Sequence, residues 1–177
     1  MQPSIVPAAL QPLLRVEMVD RTRRNHGLEH ATLTLLAKKI PGLVGAGRST
    51  PNGFYLYGDL SSEAVAEAAQ EALDRMKAGE VQLAVHPNCG TNFVTAGFAA
   101  GLAAFVGFLG ANSRRARWGR LPMVIGLCSL ALIAAHPLGL VIQRDITTSG
   151  DMRDLQIAHI TRSTRGRLTV HFVATAG

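Results

Sequence analysis

Two short stretches of this chain carry residue types that bind metals and move protons. The first is His26-Gly27-Leu28-Glu29-His30. On a helix turning about 100° per residue, His26 and His30 fall roughly 40° apart, and Glu29 lies about 60° to the other side of His26. All three share one face. Two imidazoles one turn apart can hold a single transition-metal ion, and a carboxylate beside them can orient or deprotonate a metal-bound water. Zinc is the expected ion, because it brings the pKa of that water to about 7 and makes hydroxide available at neutral pH. The pattern predicts His26 and His30 as metal ligands and Glu29 as a general base. The competing reading is a pair of interfacial histidines on an amphipathic helix, paired with Glu29 or with lipid.

The second stretch is His86-Pro87-Asn88-Cys89-Gly90-Thr91-Asn92. His86 and Cys89 have the spacing of a metal-binding loop. Gly90 permits a tight turn, and Thr91 or Asn92 is expected to cap the following helix. Cys89 then lies near a helix N-terminus, where the dipole favours thiolate. His86 and Cys89 are therefore candidate third and fourth ligands of the same ion. Four protein ligands would close the site and make it structural; three with an open position would make it catalytic. Spacing does not choose between these. Cys89 as a nucleophile, with His26 or His30 as base and Asn88 as orienting group, is a further chemistry. A loop that only turns and caps is the plain alternative.

These side chains need a scaffold. Val16 to Ile40 reads as the helix bearing the first stretch, with Val16, Val19, Leu28, Leu35 and Leu36 on an apolar face and Pro41-Gly42 closing it. A glycine-rich segment, Leu43 to Ser49, and the β-prone Phe54-Tyr55-Leu56-Tyr57 flank Pro51-Asn52-Gly53, which predicts a hairpin. Arg48 there lacks the Lys-Ser/Thr of a phosphate loop and reads as part of that hairpin. Ser61 or Ser62 caps a second helix, in which Val65, Ala68, Ala69, Ala72, Leu73 and Met76 recur at helical spacing before Gly79. Val81 to Val85 is expected as a short strand leading into the His86 loop. Leu155–Thr161 and Arg167–Val173 read as strands about a turn at Ser163–Gly166, with His159 and His171 as sheet residues.

Phe93–Ala111 and Leu121–Gln143 contain no charged residue. Each approaches the ~20 apolar residues that cross a hydrocarbon layer of about 30 Å. The 177 residues are 47% hydrophobic and 17% charged, against about 25% charged in soluble domains, and so small a chain cannot cover both stretches. They predict a transmembrane hairpin over residues 93–143, with Arg114, Arg115, Arg117, Trp118 and Arg120 in its loop. Residues 1–92 and 144–177 then share one side of the membrane. They are expected to complete one α+β domain, a small mixed sheet with two helices, interrupted by the hairpin. Gly97 and Gly101, extended by Ala100, Ala104, Gly107 and Gly110, are expected to pack the hairpin closely, homo-oligomerisation being the alternative. His136-Pro137 reads as a packed histidine at a proline kink.

The net charge of +6, with six Phe, two Tyr and one Trp, does not form a nucleic-acid stripe, because the aromatics are not interleaved with a basic run. Lipid headgroups are the expected partner of the arginines. Cys89 and Cys128 imply no disulfide framework. Sidedness is contested: the arginine loop argues for its own cytoplasmic placement, while no cleavable signal peptide is visible to move the preceding residues across. The soluble domain is expected in the cytoplasm, the loop being the exception.

The pentapeptide His26–His30 resembles the H-x-x-E-H signature of the inverzincin metallopeptidases, the pitrilysin-like enzymes. That resemblance covers five residues and implies His26 and His30 as zinc ligands and Glu29 as base. Those enzymes take a third ligand from a downstream Glu, and nothing singles one out among Glu63, Glu67 and Glu71. Over roughly residues 25–110, the run His-Gly-Leu-Glu-His-Ala-Thr, then Pro-Asn-Gly-Phe-Tyr-Leu-Tyr-Gly-Asp, then His-Pro-Asn-Cys-Gly-Thr-Asn before a span resembles an uncharacterised family of small bacterial two-span membrane proteins. It implies a multi-pass protein of the bacterial cytoplasmic membrane and carries no activity with it. The expected function is a membrane-anchored zinc-dependent hydrolase acting on a peptide or lipid at the interface. A non-catalytic accessory subunit of a membrane complex is the alternative.

Overall fold

The computed structural model describes residues 5–166 and 168–177. The chain divides into two compact units, one formed by the chain up to His86 together with Arg144–Gly177, the other by Pro87–Gln143.

The first unit is α+β. After a short helix α1 (Gln11–Leu14), the long helix α2 runs from Glu17 to Lys39. Glu17 and Asp20 in its first turn and Lys38 and Lys39 in its last complement the helix dipole. Strands β1 (Ala46–Thr50) and β2 (Gly53–Tyr57) form the expected hairpin. Gly53, at φ 139°, is required there, because a Cβ would run into the Val173 carbonyl. Helix α3 (Ser62–Lys77) is capped by Ser61, whose hydroxyl accepts the Ala64 N–H at 3.1 Å. Strands β3 (Gln156–Arg165) and β4 (Leu168–Ala176) form a second, longer hairpin. Arg167, the expected start of the last strand, lies outside the described residues.

The sheet order is β1-β2-β4-β3. The C-terminal strands join the first hairpin, as expected, but the sheet is antiparallel throughout and not mixed. Each hairpin is antiparallel by construction, and the two dock through β2 and β4, which run in opposite directions. The core between sheet and helices includes Leu28 and Leu36 of α2, Phe54 and Leu56 of β2, Val65 and Met76 of α3, and Leu155 and Val173. Each such side chain contributes about 1.5–3 kcal/mol by leaving water. The expected strand at Val81–Val85 is instead a 3-10 turn, Val81–Ala84. The Leu83 N–H reaches the Glu80 carbonyl and the Val85 N–H reaches that of Gln82, so local bonds replace a sheet partner.

The second unit is a pair of helices, α4 (Gly90–Phe108) and α5 (Arg114–Ile142). Both helices are long and apolar enough to cross a membrane. The arginines expected in the connecting loop form the first turns of α5. Ser113 caps that helix, accepting the Ala116 N–H at 3.2 Å. Arg117 donates to the Ala111 carbonyl at 3.3 Å and Arg120 to that of Leu109, satisfying carbonyls of the turn that follows α4. Gly97 and Gly101 do not pack the hairpin, for no atom of the described residues lies within 4 Å of a Cβ placed on either. The seam passes through residues one helical face away. Gly107 meets Val124 and Leu127, Gly139 receives Asn92, and the Cys128 Sγ donates to the Ala100 carbonyl at 3.4 Å.

Candidate metal centre

Helix α2 carries the first motif, and Gly27 explains its central glycine. A Cβ at Gly27 would run into the Ser149 carbonyl and stand 3.1 Å from the Ala84 side chain. The glycine lets two backbone segments close on the helix beside the histidines. The Ser149 N–H donates to the Arg23 carbonyl at 3.0 Å. Arg23 in turn donates to the carbonyls of Ile146 at 2.7 Å and of Asp145 and Thr148 at 3.0 Å.

Those segments supply one carbonyl to each histidine. His26 Nδ1 lies 2.9 Å from the Thr147 oxygen and His30 Nδ1 lies 2.8 Å from the Ala84 oxygen. A carbonyl only accepts, so in both rings Nδ1 is the donor, and in the neutral imidazole this leaves the lone pair on Nε2. Outer hydrogen bonds of this kind fix the tautomer and aim of metal-binding imidazoles. The His26 and His30 rings are edge-to-face with centroids 4.4 Å apart, and His86 brings a third ring 5.7 Å from His30. His30 is 3% exposed. Burial holds His86 below the usual histidine pKa, which favours its neutral, ligating form.

Glu29, the residue before His30, is 4% exposed. The Ser49 hydroxyl of β1 donates to its carboxylate. A Cβ on Gly47 would collide with the same carboxylate, so β1 is shaped around it. Burial pushes the Glu29 pKa up, opposed by the Ser49 hydrogen bond and by nearby His26. The rest of the helix face is held as closely. Asn25 donates to the Thr50 and Pro51 carbonyls at 2.9 and 3.2 Å and accepts the Thr175 hydroxyl at 2.8 Å.

In the first unit the structure thus places the His26 and His30 rings edge-to-face with the His86 ring beside His30, while the Glu29 carboxylate is engaged by β1. Cys89 belongs to the second unit. It is itself the N-cap of α4, its Sγ accepting the Thr91 N–H at 3.4 Å. Thr91 and Asn92, expected as caps, lie inside the helix, and Asn92 bonds instead to the Pro87 carbonyl and to Gln143, both at 2.6 Å. Glu63 and Glu67 are exposed. Glu71 is held at the surface by Lys39 at 2.7 Å and Arg75 at 3.4 Å. His159 and His171 are sheet residues, as expected. His136 is exposed on α5 rather than packed at a kink. The residues missed in the sequence are Arg23, Gly47, Ser49, Ala84 and Thr147. Arg23 lies one helical turn before His26 and could have been found; backbone carbonyls leave no mark on residue type.

Fold and site define an α+β protein with a helix-borne histidine cluster and two helices long and apolar enough to span a membrane. The chain belongs to the family described as domain of unknown function DUF6391, whose model matches residues 21–160. It is similar to an uncharacterized protein of Picosynechococcus sp. (strain PCC 7002), at 41% identity across 46% of this chain and 46% of that protein, so it spans less than half the length of this curated relative. No solved structure matches it.

Proposed function

We propose that this chain is a membrane-anchored zinc protein in which His26, His30 and His86 bind the ion and Glu29 activates a water for hydrolysis at the membrane interface. The carrying observation is the pair of carbonyls, Thr147 and Ala84, that take up Nδ1 of both helix histidines and leave Nε2 as the ring nitrogen for a ligand bond. His26, His30 and His86 would hold the ion, which would supply an activated water at neutral pH. Glu29 would act as the base for that water and return the proton to the leaving amine or alkoxide of a peptide or lipid ester. The Glu29 pKa, raised by burial, suits a group that must both accept and release a proton.

Exposed Phe93, Phe98, Phe105 and Ile133, between 65% and 74% accessible, support insertion of α4 and α5 in the bilayer of the bacterial cytoplasmic membrane, since such surface is costly in water. The soluble unit is assigned to the cytoplasm; protection of the Arg114–Arg120 segment from external protease on intact cells would reverse that.

A second reading has its own observation. Ser49 and Gly47 engage the Glu29 carboxylate so closely that Glu29 could serve only to dock β1, making the centre a structural site in an accessory subunit of a membrane complex. Cys89, three residues after His86, would then be the closing ligand. Metal content of the detergent-purified protein, with His26→Ala/His30→Ala, Glu29→Gln and Cys89→Ser variants, decides. About one zinc per chain, absent from the double histidine variant, is expected. Glu29→Gln should keep zinc and lose peptide or ester hydrolysis. No zinc after reconstitution at neutral pH under reducing conditions removes the metal reading. Zinc without hydrolysis, lost in Cys89→Ser, selects the structural site.

A further inference from the structure

The second unit contains a groove of about 390 Å³ at the α4–α5 turn, lined by Ala104, Phe105, Phe108 and Leu109 on one side and by Asn112 and Arg117 at its end. That volume is in the range of ligand clefts, about 300–1,000 Å³. Its two ends differ in chemistry. Phe105 is 65% and Leu109 54% exposed, an open apolar floor. Beyond it, Arg114, Arg115, Arg117 and Arg120 fall within seven residues, and residues 87–143 contain no Asp, Glu or Lys. Arg114 and Arg115 are exposed. They begin helix α5, whose N-terminal dipole adds to their positive field. Trp118, 73% exposed at the same end, is the residue type that settles at headgroup depth.

We infer that this groove binds one anionic phospholipid, its phosphate at Arg117 with Arg114 and Arg115 and one acyl chain along Phe105, Phe108 and Leu109. The charge has no acidic counterpart within the unit, so a phosphodiester is its complement, and the apolar floor joined to it selects a lipid over a free phosphate. The inference rests on the membrane reading of α4 and α5 and is independent of the metal centre.

The test uses the full chain in mild detergent, incubated with equal amounts of phosphatidylglycerol and phosphatidylcholine, with retained lipid counted by native mass spectrometry. Phosphatidylglycerol should be retained over phosphatidylcholine by about fivefold or more, the gain expected from each basic residue near an anionic headgroup. Arg117→Gln should lower the preference toward one. Because Arg117 also holds the Ala111 carbonyl, Ala104→Phe provides a second variant: it keeps every charge, fills the groove, and should release the lipid. Glycerol phosphate in excess should not displace the lipid; displacement would identify an anion site without a lipid and overturn the proposal. Equal retention of both lipids, or a preference unchanged in both variants, would also overturn it. Parallel reconstitution into phosphatidylcholine vesicles separates the two levels. A chain that inserts but shows no lipid preference loses only this site; a chain that is released by alkaline carbonate loses the membrane reading with it.

Discussion

Helix α2 and the α4–α5 pair are built on opposite terms. Helix α2 buries Asp20, Arg24, Asn25, Glu29, His30 and Thr32. A buried polar group is costly unless hydrogen-bonded, and these groups have defined partners: Arg153 for Asp20 at 3.1 Å, Asp154 for Arg24 at 3.1 Å, Thr50 for Asn25, Ser49 for Glu29, Ala84 for His30. The α4–α5 pair turns Phe98, Phe105, Trp118 and Ile133 outward, and its buried polar side chains, Asn92 and Gln143, bond to each other. One region gives each of these side chains a partner, although Arg24 Nε makes no hydrogen bond to a described residue. The other specifies only a seam and leaves its outer surface to be matched by an apolar surrounding. Chemistry is therefore expected where removing one partner strands another, and attachment where it does not.

The largest expected contrast lies between two glycines. Gly27→Ala drives a Cβ into the Ser149 backbone and against Ala84, and should cost about 3 kcal/mol or prevent folding. Gly97→Ala meets open space within a helix, where alanine is the better residue, and should be neutral or stabilising by up to about 1 kcal/mol. Unfolding in detergent followed by circular dichroism measures both. Equal effects would break the comparison, because Gly97 would then be packed against something.

Next in size is Ser49→Ala against Phe98→Leu. Removing the hydroxyl strands part of the buried Glu29 carboxylate and should cost about 1–3 kcal/mol. Phe98→Leu exchanges one exposed apolar side chain for another and should stay within about 0.5 kcal/mol. A Ser49→Ala variant as stable as the parent would mean that Glu29 finds another donor or is protonated there.

The same contrast explains what could be read in the sequence. Helix α2, the Pro51-Asn52 hairpin and the spacing of Val65 to Met76 were legible because the helical period and turn residues act locally. The triplet His26, Glu29, His30 was legible as one helix face, and His86 followed as a further histidine. The strand at Val81–Val85 was misread because a short β-prone run is indistinguishable from a 3-10 turn until a sheet edge is there to receive it. The arginines were assigned to a loop on charge alone, although Ser113 is a good N-cap and Arg117 and Arg120 satisfy carbonyls of the preceding turn from within a helix. Gly97 and Gly101 were read as a seam because small-residue spacing does not say which face a neighbour occupies. Ser49 and Gly47 were invisible as site residues, since their role depends on strand β1 crossing helix α2, a contact between residues 20 apart in the chain.

The smallest expected effect is a pH dependence from His171, fully buried on β4. It faces Ser62 of α3, whose hydroxyl lies 3.3 Å from Nε2, and is paired in register with Arg162 of β3 and Leu56 of β2. Among the described residues its Nδ1 has no hydrogen-bond partner. Burial lowers its pKa, Arg162 lowers it further, and Glu63 opposes both. The folded chain thus keeps His171 neutral at pH values where the unfolded chain, near 6.5, takes up a proton. Above about 6.5 its contribution is constant, and below that value stability falls with pH by at most about 1.4 kcal/mol per unit until the folded histidine itself titrates. Glu29, raised by burial, gives a slope of the opposite sign, while His86, lowered by burial, adds to that of His171, so the readout is a difference between two proteins. Unfolding midpoints of the parent and of His171→Gln, each at pH 7.5 and 5.5, should show the parent losing more on acidification. Parallel shifts in the two proteins would mean that the buried ring takes up its proton without cost, and that the close pairing of polar groups along α2 does not extend to strand β4.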